Sequence, residues 1–501
     1  MEVFMKPVKF LASIPQYAYS AEAVQKNEGK IAEQANLNLY QLMESAGLAA
    51  SQLIQSQWPN CKTLLIVCGK GNNGGDGFVL ARLALENGIQ VFLHSLAAVE
   101  NYQGDAKRAC EQYLKAGGCL HTLDEIDFST VDLIVDALLG TGLSRPVRDN
   151  YRDVIELLNQ LEKPILSLDV PSGLNANTGQ VLGCAINADA TITFVGVKKG
   201  LLTGVAGDHC GELHFSGLGI GAAFSQQVNS TVTINSRDSL TALQPRRQSS
   251  HKGDSGFVLV VGGNLGMPGA VRLSAEASLR SGAGLVAVAC HKNNQMIVTA
   301  TRPELMLLSI DSTNIDDQHK VHKTNVVVIG PGLGTDTWAT EQFQRVLALN
   351  KPMVVDADGL NLLASNPQYR KNWVLTPHPG EAARLLHCTV AEIEQDRFES
   401  AKAIALKYGG VCVLKGVGTL ISDGDSVAIN ITGNSGMAVG GMGDVLSGII
   451  GALILQSTNI FLAARYAVYL HGRAADIAIT DGQKGLLASD LFPYIRQLVN
   501  E

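Results

Sequence analysis

Gly433-Asn-Ser-Gly-Met-Ala-Val-Gly-Gly-Met-Gly-Asp444 runs straight into the apolar segment Val445-Leu-Ser-Gly-Ile-Ile-Gly-Ala-Leu-Ile-Leu455, and this junction decides the fold. A glycine-rich loop that opens a helix leaves backbone N–H groups uncovered at the positive end of the helix dipole, an anion site suited to phosphate. Gly441 and Gly443 let the backbone approach the anion closely. A carboxylate at that mouth repels phosphate, so Asp444 reads as a base that takes a proton from a hydroxyl attacking phosphorus. The plainer alternative makes Asp444 an ordinary N-cap.

The chain has 501 residues, 46% of them hydrophobic and 17% charged, with a net charge of -7. This length allows about two to four domains. The acidic balance gives nucleic acid no electrostatic footing. Nine scattered cysteines without a C-x-x-C pair point to reduced thiols in the cytoplasm rather than a zinc site or a disulfide framework. Met1 to Ser20 has no continuous apolar core of a signal peptide, and the run Val445 to Leu455 falls well short of the ~20 residues that span a bilayer, so no membrane role is expected.

Outward from the junction, both halves alternate strand and helix. Ser20 to about Trp58 reads as one helix by its apolar spacing. Thr63 to Gly69 then reads as a buried strand, followed by the loop Lys70-Gly-Asn72-Asn73-Gly74-Gly75-Asp76-Gly77 and a helix from Phe78 to Glu86. Further strands are expected at Ile89 to Leu93, Val131 to Leu139, Ile165 to Val170 and Ala190 to Val195, with helices at Gln103 to Ala116 and Tyr151 to Leu161. The result is a doubly wound, Rossmann-like, three-layer sheet whose ligands sit beyond the carboxyl ends of the strands. At that edge fall Asn72 to Asp76, then Asp136 with Gly140-Thr141-Gly142-Leu143-Ser144-Arg145-Pro146, then Asp169 and Ser172. No P-loop is present, and the converging oxygens of Asn73, Asp136 and Ser172 suit a hard cation.

This set of loops resembles the epimerase domain of the NAD(P)H-hydrate repair enzymes, over about Ala18 to Leu218. The resemblance implies a site for hydrated NADH or NADPH built from Asn72 to Asp76, Gly140 to Pro146 and Asp169. It also implies a potassium ion held by Asn73, Asp136 and Ser172. Asp169 is the candidate acid/base for exchanging the R and S hydrates, its alternative being a ribose-binding carboxylate.

A polar seam near Phe224 to Ser236 separates residues 1–228 from 229–501. The nearby Arg246, Arg247 and Lys252 read as a solvated linker face or, less simply, as a patch recruiting an anion. Beyond it, strands at Gly256 to Gly263, Leu285 to Ala289, Asn325 to Ile329, Met353 to Asp356, Trp373 to Thr376 and Val411 to Leu414 each end in a turn bearing polar groups. Helices are expected at Val271 to Arg280 and Glu381 to Leu386. Lys415 reads as a phosphate partner or a snorkelling surface lysine. His378 reads as a functional or merely packed imidazole, and Glu381 as part of a magnesium shell or of a helix's first turn.

Pro268-Gly-Ala270, Gly330-Pro-Gly332, Thr376-Pro-His378-Pro-Gly-Glu381, Lys415-Gly416-Val417-Gly418-Thr419 and Gly440-Gly-Met-Gly443-Asp444 occur in an order that resembles the ribokinase-like dehydratase domain of the same repair enzymes. His378-Pro-Gly-Glu381 stands where sugar kinases carry N-x-x-E. The resemblance implies AMP-type contacts from Lys415 to Thr419 and Gly443, and hydrated-nicotinamide contacts from Ala270, Gly332, His378 and Asp444. It further implies Mg²⁺, ADP or ATP as phosphoryl donor, and a homo-oligomer with a tetramer favoured. The competing readings are a ribokinase-like small-molecule kinase with a non-catalytic N-terminal binding domain, an RNA-binding module and a plain dehydrogenase.

Overall fold

The computed structural model describes residues 14–240, 243–300, 302–310 and 315–501. Most of the Met1 to Ser20 stretch, read above as lacking a signal sequence, lies outside the described residues. The chain divides into two compact units, Met1–Val232 and Thr233–Glu501.

The first unit is built on a six-stranded parallel sheet in the spatial order Gln90–Ser95, Thr63–Cys68, Leu133–Ala137, Ile165–Leu168, Ala190–Phe194, Glu212–Ser216. Its central strands are buried along their whole length, which is why they read as continuous apolar runs rather than alternating ones. One face packs against Leu39–Gln57, Asn72–Glu86 and Gly104–Lys115, and the other against Asp149–Gln160 through Val154, Ile155 and Leu158. Strand order reverses between Thr63–Cys68 and Leu133–Ala137, which places the ligand crevice at those two strand ends.

Two sequence expectations need correction here. The single helix expected over Ser20 to Trp58 is two helices, Ala21–Gln34 and Leu39–Gln57. Asn36 takes a left-handed φ of +59°, and Asn38 caps the second helix in a capping box with Gln41, so the apolar periodicity runs across a break. The residues Asn72 to Gly77 are the opening turns of helix Asn72–Glu86 and not a loop. Their glycines serve close packing: a Cβ on Gly74 would lie 1.9 Å from the Gly69 carbonyl oxygen, and one on Gly77 would lie 2.7 Å from Ala137 Cβ.

In the second unit the parallel order is Met306–Leu307, Leu285–Ala289, Phe257–Val261, Val326–Ile329, Met353–Val355, Trp373–Leu375, Val411–Leu414. The hairpin strands Thr419–Ser422 and Val427–Asn430 continue it antiparallel. Val258, Val260, Val326, Val328, Val354 and Val374 face the core formed with helices Pro268–Arg280, Met442–Ile454 and Ile460–Ala478. The alternate residues Leu259, Val327, Met353 and Trp373 are equally buried, so the opposite face is covered as well. Both units are therefore αβα layers, as the sequence predicts. Among the described residues no helix is long and apolar enough to cross a membrane, and all nine cysteines are free thiols.

The small residues of Val445 to Ala452 explain how the second core closes. A Cβ on Gly448 would lie 2.0 Å from the Ser274 carbonyl oxygen, and Ser278 Oγ donates to the Gly448 carbonyl at 3.0 Å. Backbone touches backbone where helix Met442–Ile454 meets Pro268–Arg280, and a backbone oxygen cannot swing aside as a side chain would. Gly448→Ala is expected to destabilise the second unit by about 3 kcal/mol, the upper range for overpacking. Urea unfolding measures this, and an unchanged midpoint would show that the two helices do not meet so closely.

Candidate functional site

In the second unit the strand order reverses between Phe257–Val261 and Val326–Ile329, and the loops that follow are stitched together. Gly263 and Asn264 N–H donate to the Pro331 and Gly332 carbonyls at 2.9 and 2.7 Å. A Cβ on Gly332 would stand 3.2 Å from Ala270 Cβ, so the predicted residues Ala270 and Gly332 are neighbours. Asp358 Oδ2 accepts from Gly334 N–H at 2.8 Å and ties the next strand end to the same edge.

Helix Met442–Ile454 opens beside them. Its N-cap is Gly441, at φ +93°, so Asp444 lies inside the first turn and the N-cap alternative is excluded. Beneath that turn is Lys415, whose Nζ donates to Asp356 Oδ1 at 2.9 Å and lies 3.7 Å from Glu381 Oε2. A Cβ on Gly443 would lie 3.3 Å from Lys415 Nζ, which seats the helix opening on the ammonium group. Lys415 is therefore neither a snorkelling surface residue nor free to reach toward phosphate unaccompanied. Burial works against its charge, but Asp356, Glu381 and Asp444 outweigh burial and raise its pKa. Burial likewise lifts Asp444, helped by the negative charges of Asp356 and Asp358 against the pull of Lys415, to about 7.

His378 and Glu381 form the capping box of helix Pro379–Leu386, which begins before the expected Glu381. Glu381 Oε2 accepts from His378 N–H at 2.8 Å, and His378 Nδ1 accepts from Gly380 N–H at 3.0 Å. This holds the half-exposed imidazole with Nε2 3.4 Å from Glu381 Oε1. Burial pushes the Glu381 carboxyl up, and Lys415 opposes the shift. In the Lys415–Thr419 turn, Gly416 and Val417 are exposed, while Thr419 Oγ1 donates to the Gly416 carbonyl at 2.8 Å and begins the next strand. Arg397, fully buried, donates to the Lys415 carbonyl at 3.0 Å and holds the turn from below. Arg397 and the ion-pair partner Asp356 were not singled out as site residues, although Asp356 ends a strand run visible in the sequence.

At the crevice of the first unit, Asp136 is fully buried. It accepts from Ser167 Oγ and Ser172 N–H at 2.8 Å, Ser172 Oγ at 2.5 Å and Leu138 N–H at 3.2 Å. Burial raises its pKa and these donors oppose the rise. Asn73 Nδ2 donates to the Leu139 carbonyl at 3.0 Å, while Asn73 Oδ1 is buried with no hydrogen-bond partner. Gly140 packs on the Asn73 side chain, whereas Asn72, Gly142, Ser144, Arg145 and Pro146 are exposed along the rim, with Thr141 and Leu143 partly covered.

Asp169 lies at the next strand end and forms an ion pair with Lys198 Nζ. Lys198 is fully buried and also donates to Thr193 Oγ1 at 3.2 Å and the Phe194 carbonyl at 2.9 Å. Asp169 and Val195, each with φ +63°, are the centres of two tight turns closed by Val170 N–H to Leu168 O at 2.8 Å and Gly196 N–H to Phe194 O at 2.7 Å. A β-branched residue at positive φ is strained, and such strain gathers at functional sites. Burial drives Asp76 well above the usual carboxylate range, with the charges of Asp169 and Glu28 adding to it. Glu28 is likewise lifted by burial to about 7, with Lys198 pulling it down and Asp169 pushing it up. Lys198 and Glu28 escaped the sequence reading because only the parallel pairing of Tyr19 with Lys198 brings their segments together.

Fold and site define an α/β enzyme with a ribokinase-like half whose acid sits in a glycine-opened helix. Residues 258–497 match the family described as NAD(P)H-hydrate dehydratase, and residues 39–200 match the YjeF-related protein N-terminus. The chain is 46% identical over 490 residues to the bifunctional NAD(P)H-hydrate repair enzyme Nnr of Escherichia coli K12, covering 97% of this chain and 95% of that one. It is 44% identical over 475 residues to the Coxiella burnetii enzyme of the same name, covering 94% and 97%. A ribokinase-like superfamily protein from Enterococcus faecalis superposes with a TM-score of 0.50 at 30% identity, covering 54% of this chain and 96% of the other. The chain belongs to the family of bifunctional NAD(P)H-hydrate repair enzymes.

Asp444 holds its proton more tightly in the folded chain, at about 7, than at its ordinary 3.8. Its contribution to stability is therefore full below the unfolded value and lost as pH rises through the folded one. Asp444→Asn removes that dependence, so the variant should gain stability relative to the parent from roughly pH 4 to pH 8. Urea midpoints across this range test it, and a constant difference would contradict burial of the carboxylate.

Proposed function

We propose that this chain exchanges the R and S hydrates of NADH and NADPH in its first unit. In its second unit it returns the S hydrate to NAD(P)H, with ADP, or alternatively ATP, as phosphoryl donor. The observation that carries the proposal is Asp444 in the first turn of a glycine-opened helix, directly over the Lys415–Asp356 pair. With a pKa near 7 the carboxylate is ionised enough to act as a base at neutral pH.

Asp444 takes the proton of the ring hydroxyl, whose oxygen attacks the terminal phosphorus of ADP and releases AMP. The Gly441 to Gly443 amides and the Lys415 ammonium balance the charge of the transferring group. Hydroxide is a poor leaving group and phosphate a good one, so the ring-nitrogen lone pair then expels phosphate. Loss of the neighbouring ring proton restores the dihydropyridine. The turn from Lys415 to Thr419, exposed at Gly416 and Val417, suits the AMP moiety, and Ala270, Gly332 and the half-exposed imidazole of His378 suit the nicotinamide side.

In the first unit the Asp169–Lys198 pair supplies a proton acceptor and donor within one hydrogen bond, which fits opening and reclosing of the hydroxylated ring on its opposite face. The N-terminus of helix Asn72–Glu86 and the Gly140 to Pro146 rim suit the pyrophosphate. The partnerless Asn73 Oδ1 fits a potassium ion with Ser172 and the Asp136 carboxylate beside it, and such an ion would brace the loops. No group of three or more acidic, histidine or cysteine ligands occurs among the described residues, so Mg²⁺ would be held largely by nucleotide phosphates and water. The acidic charge and free thiols fit a cytosolic protein, and the family resemblance suggests a homo-oligomer.

Asp444→Ala should lower the rate of NADH recovery from the S hydrate by at least ~100-fold while leaving epimer exchange intact. Asp169→Asn should do the reverse. Each reaction can be followed separately, by absorbance for recovery and by chromatography of the two hydrates for exchange. Near-normal recovery by Asp444→Ala would end the assignment. Replacing K⁺ by Na⁺ should slow epimer exchange and spare dehydration, and equal slowing of both would remove the ion from the first unit.

A further inference from the structure

A second concentration of charge lies along helix Pro268–Arg280, outside the residues assigned above. Arg272, Arg280, Arg302 and Arg496 line a cleft of about 530 Å³ whose acidic member is Glu276. Glu276 is buried and already engaged, accepting from Arg302 at 2.5 Å and Arg280 at 3.4 Å. Arg272 and Arg496 form no ion pair among the described residues, and Arg302 Nε is buried without a hydrogen-bond partner.

Gathering guanidinium groups around a single carboxylate is repulsive unless an anion completes the set. Arginine forks match phosphate oxygens in pairs, and a buried N–H without an acceptor costs about 1–3 kcal/mol until one is supplied. The cleft continues into a second of about 700 Å³ that shares Arg280, Arg302 and Arg496 and adds the apolar walls Leu243, Leu279 and Val499, with Glu304 and Glu501 also lining it. Arg246, from the basic cluster after the seam, lies on this second cleft and donates to the Gly282 carbonyl at 2.5 Å, so it is not a purely solvated linker residue.

We propose that this cleft is a binding site for a phosphate-bearing small molecule carrying at least two negative charges. Chain neighbours of two cleft residues reach the opening of helix Met442–Ile454. Leu273, next to Arg272, and Ala488, next to the cleft residue Ser489, are the side chains a Cβ on Gly441 would meet, at 2.7 and 3.1 Å. The binding itself does not depend on the roles given to Asp444 or Lys415.

Inorganic pyrophosphate is a suitable probe, titrated calorimetrically into the full chain with ADP and NADH already saturating, so that neither the nucleotide site nor the pyrophosphate-binding rim proposed for the first unit competes. The parent should bind one pyrophosphate per chain, and Arg302→Gln and Arg496→Glu should each weaken it by about tenfold or more. Arg496 is exposed and has no partner, so reversing its charge leaves the fold intact. Arg345→Glu, on the exposed face of helix Thr337–Ala348, serves as the control and should bind as the parent does. No binding in the presence of ADP, or affinities unchanged in both cleft variants, would overturn the site.

Discussion

The burial of one ammonium group organises the second unit. Lys415 cannot be taken out of water without partners, and it finds them in Asp356, just after one strand, and Glu381, in the first turn of helix Pro379–Leu386. Removing one member of such a buried pair costs about 3–5 kcal/mol, because the charge left behind has no solvent to return to. Glu381 at the same time caps helix Pro379–Leu386, and Asp356 adds the negative charge that helps to lift Asp444. A single electrostatic cluster thus joins two strand ends to a helix start, seats the helix opening and leaves one acid poised near neutrality.

Glycine makes that seating possible, and for reasons of space more than of flexibility. Gly443 lies over the ammonium, Gly448 over the Ser274 carbonyl and Gly451 against Val328, so the helix that carries Asp444 sits closer to its neighbours than any side chain would permit. The first unit uses the same device at Gly69, Gly74 and Gly77 to bring helix Asn72–Glu86 onto the sheet edge. It adds strained backbone at Asp169 and Val195, neighbouring strand ends held in unfavourable turns so that a carboxylate and a buried lysine meet.

Much of this was legible from the chain alone, because parallel strands buried on both faces write themselves as apolar runs. Leu285–Ala289 and Val411–Leu414 fall where their runs do, and the polar turns after the strands converge as strand order requires. Asp444 stands out because a carboxylate is anomalous beside a glycine-rich helix opening of the kind that suits an anion. Less legible were features set by tertiary context. The break at Asn36 interrupts a periodicity that continues on both sides, and the glycines of Asn72 to Gly77 suggest a loop while in fact permitting a tightly packed helix. Lys198 and Glu28 become partners of Asp169 only through a short parallel pairing distant in sequence, and Arg397 reaches the Lys415 turn from a helix whose sequence gives no hint of it. The hairpin strands Thr419–Ser422 and Val427–Asn430 were also missed, being short and following a glycine-rich turn.

The central claim is that phosphorylation of the ring hydroxyl precedes its departure, with Asp444 as the base. The most direct measurement is to label that hydroxyl with oxygen-18 and follow the label through one turnover with ADP. Transfer before elimination carries the labelled oxygen into inorganic phosphate. Label recovered in water, with unlabelled phosphate, would mean that the hydroxyl leaves on its own and that the site around Asp444 does something else.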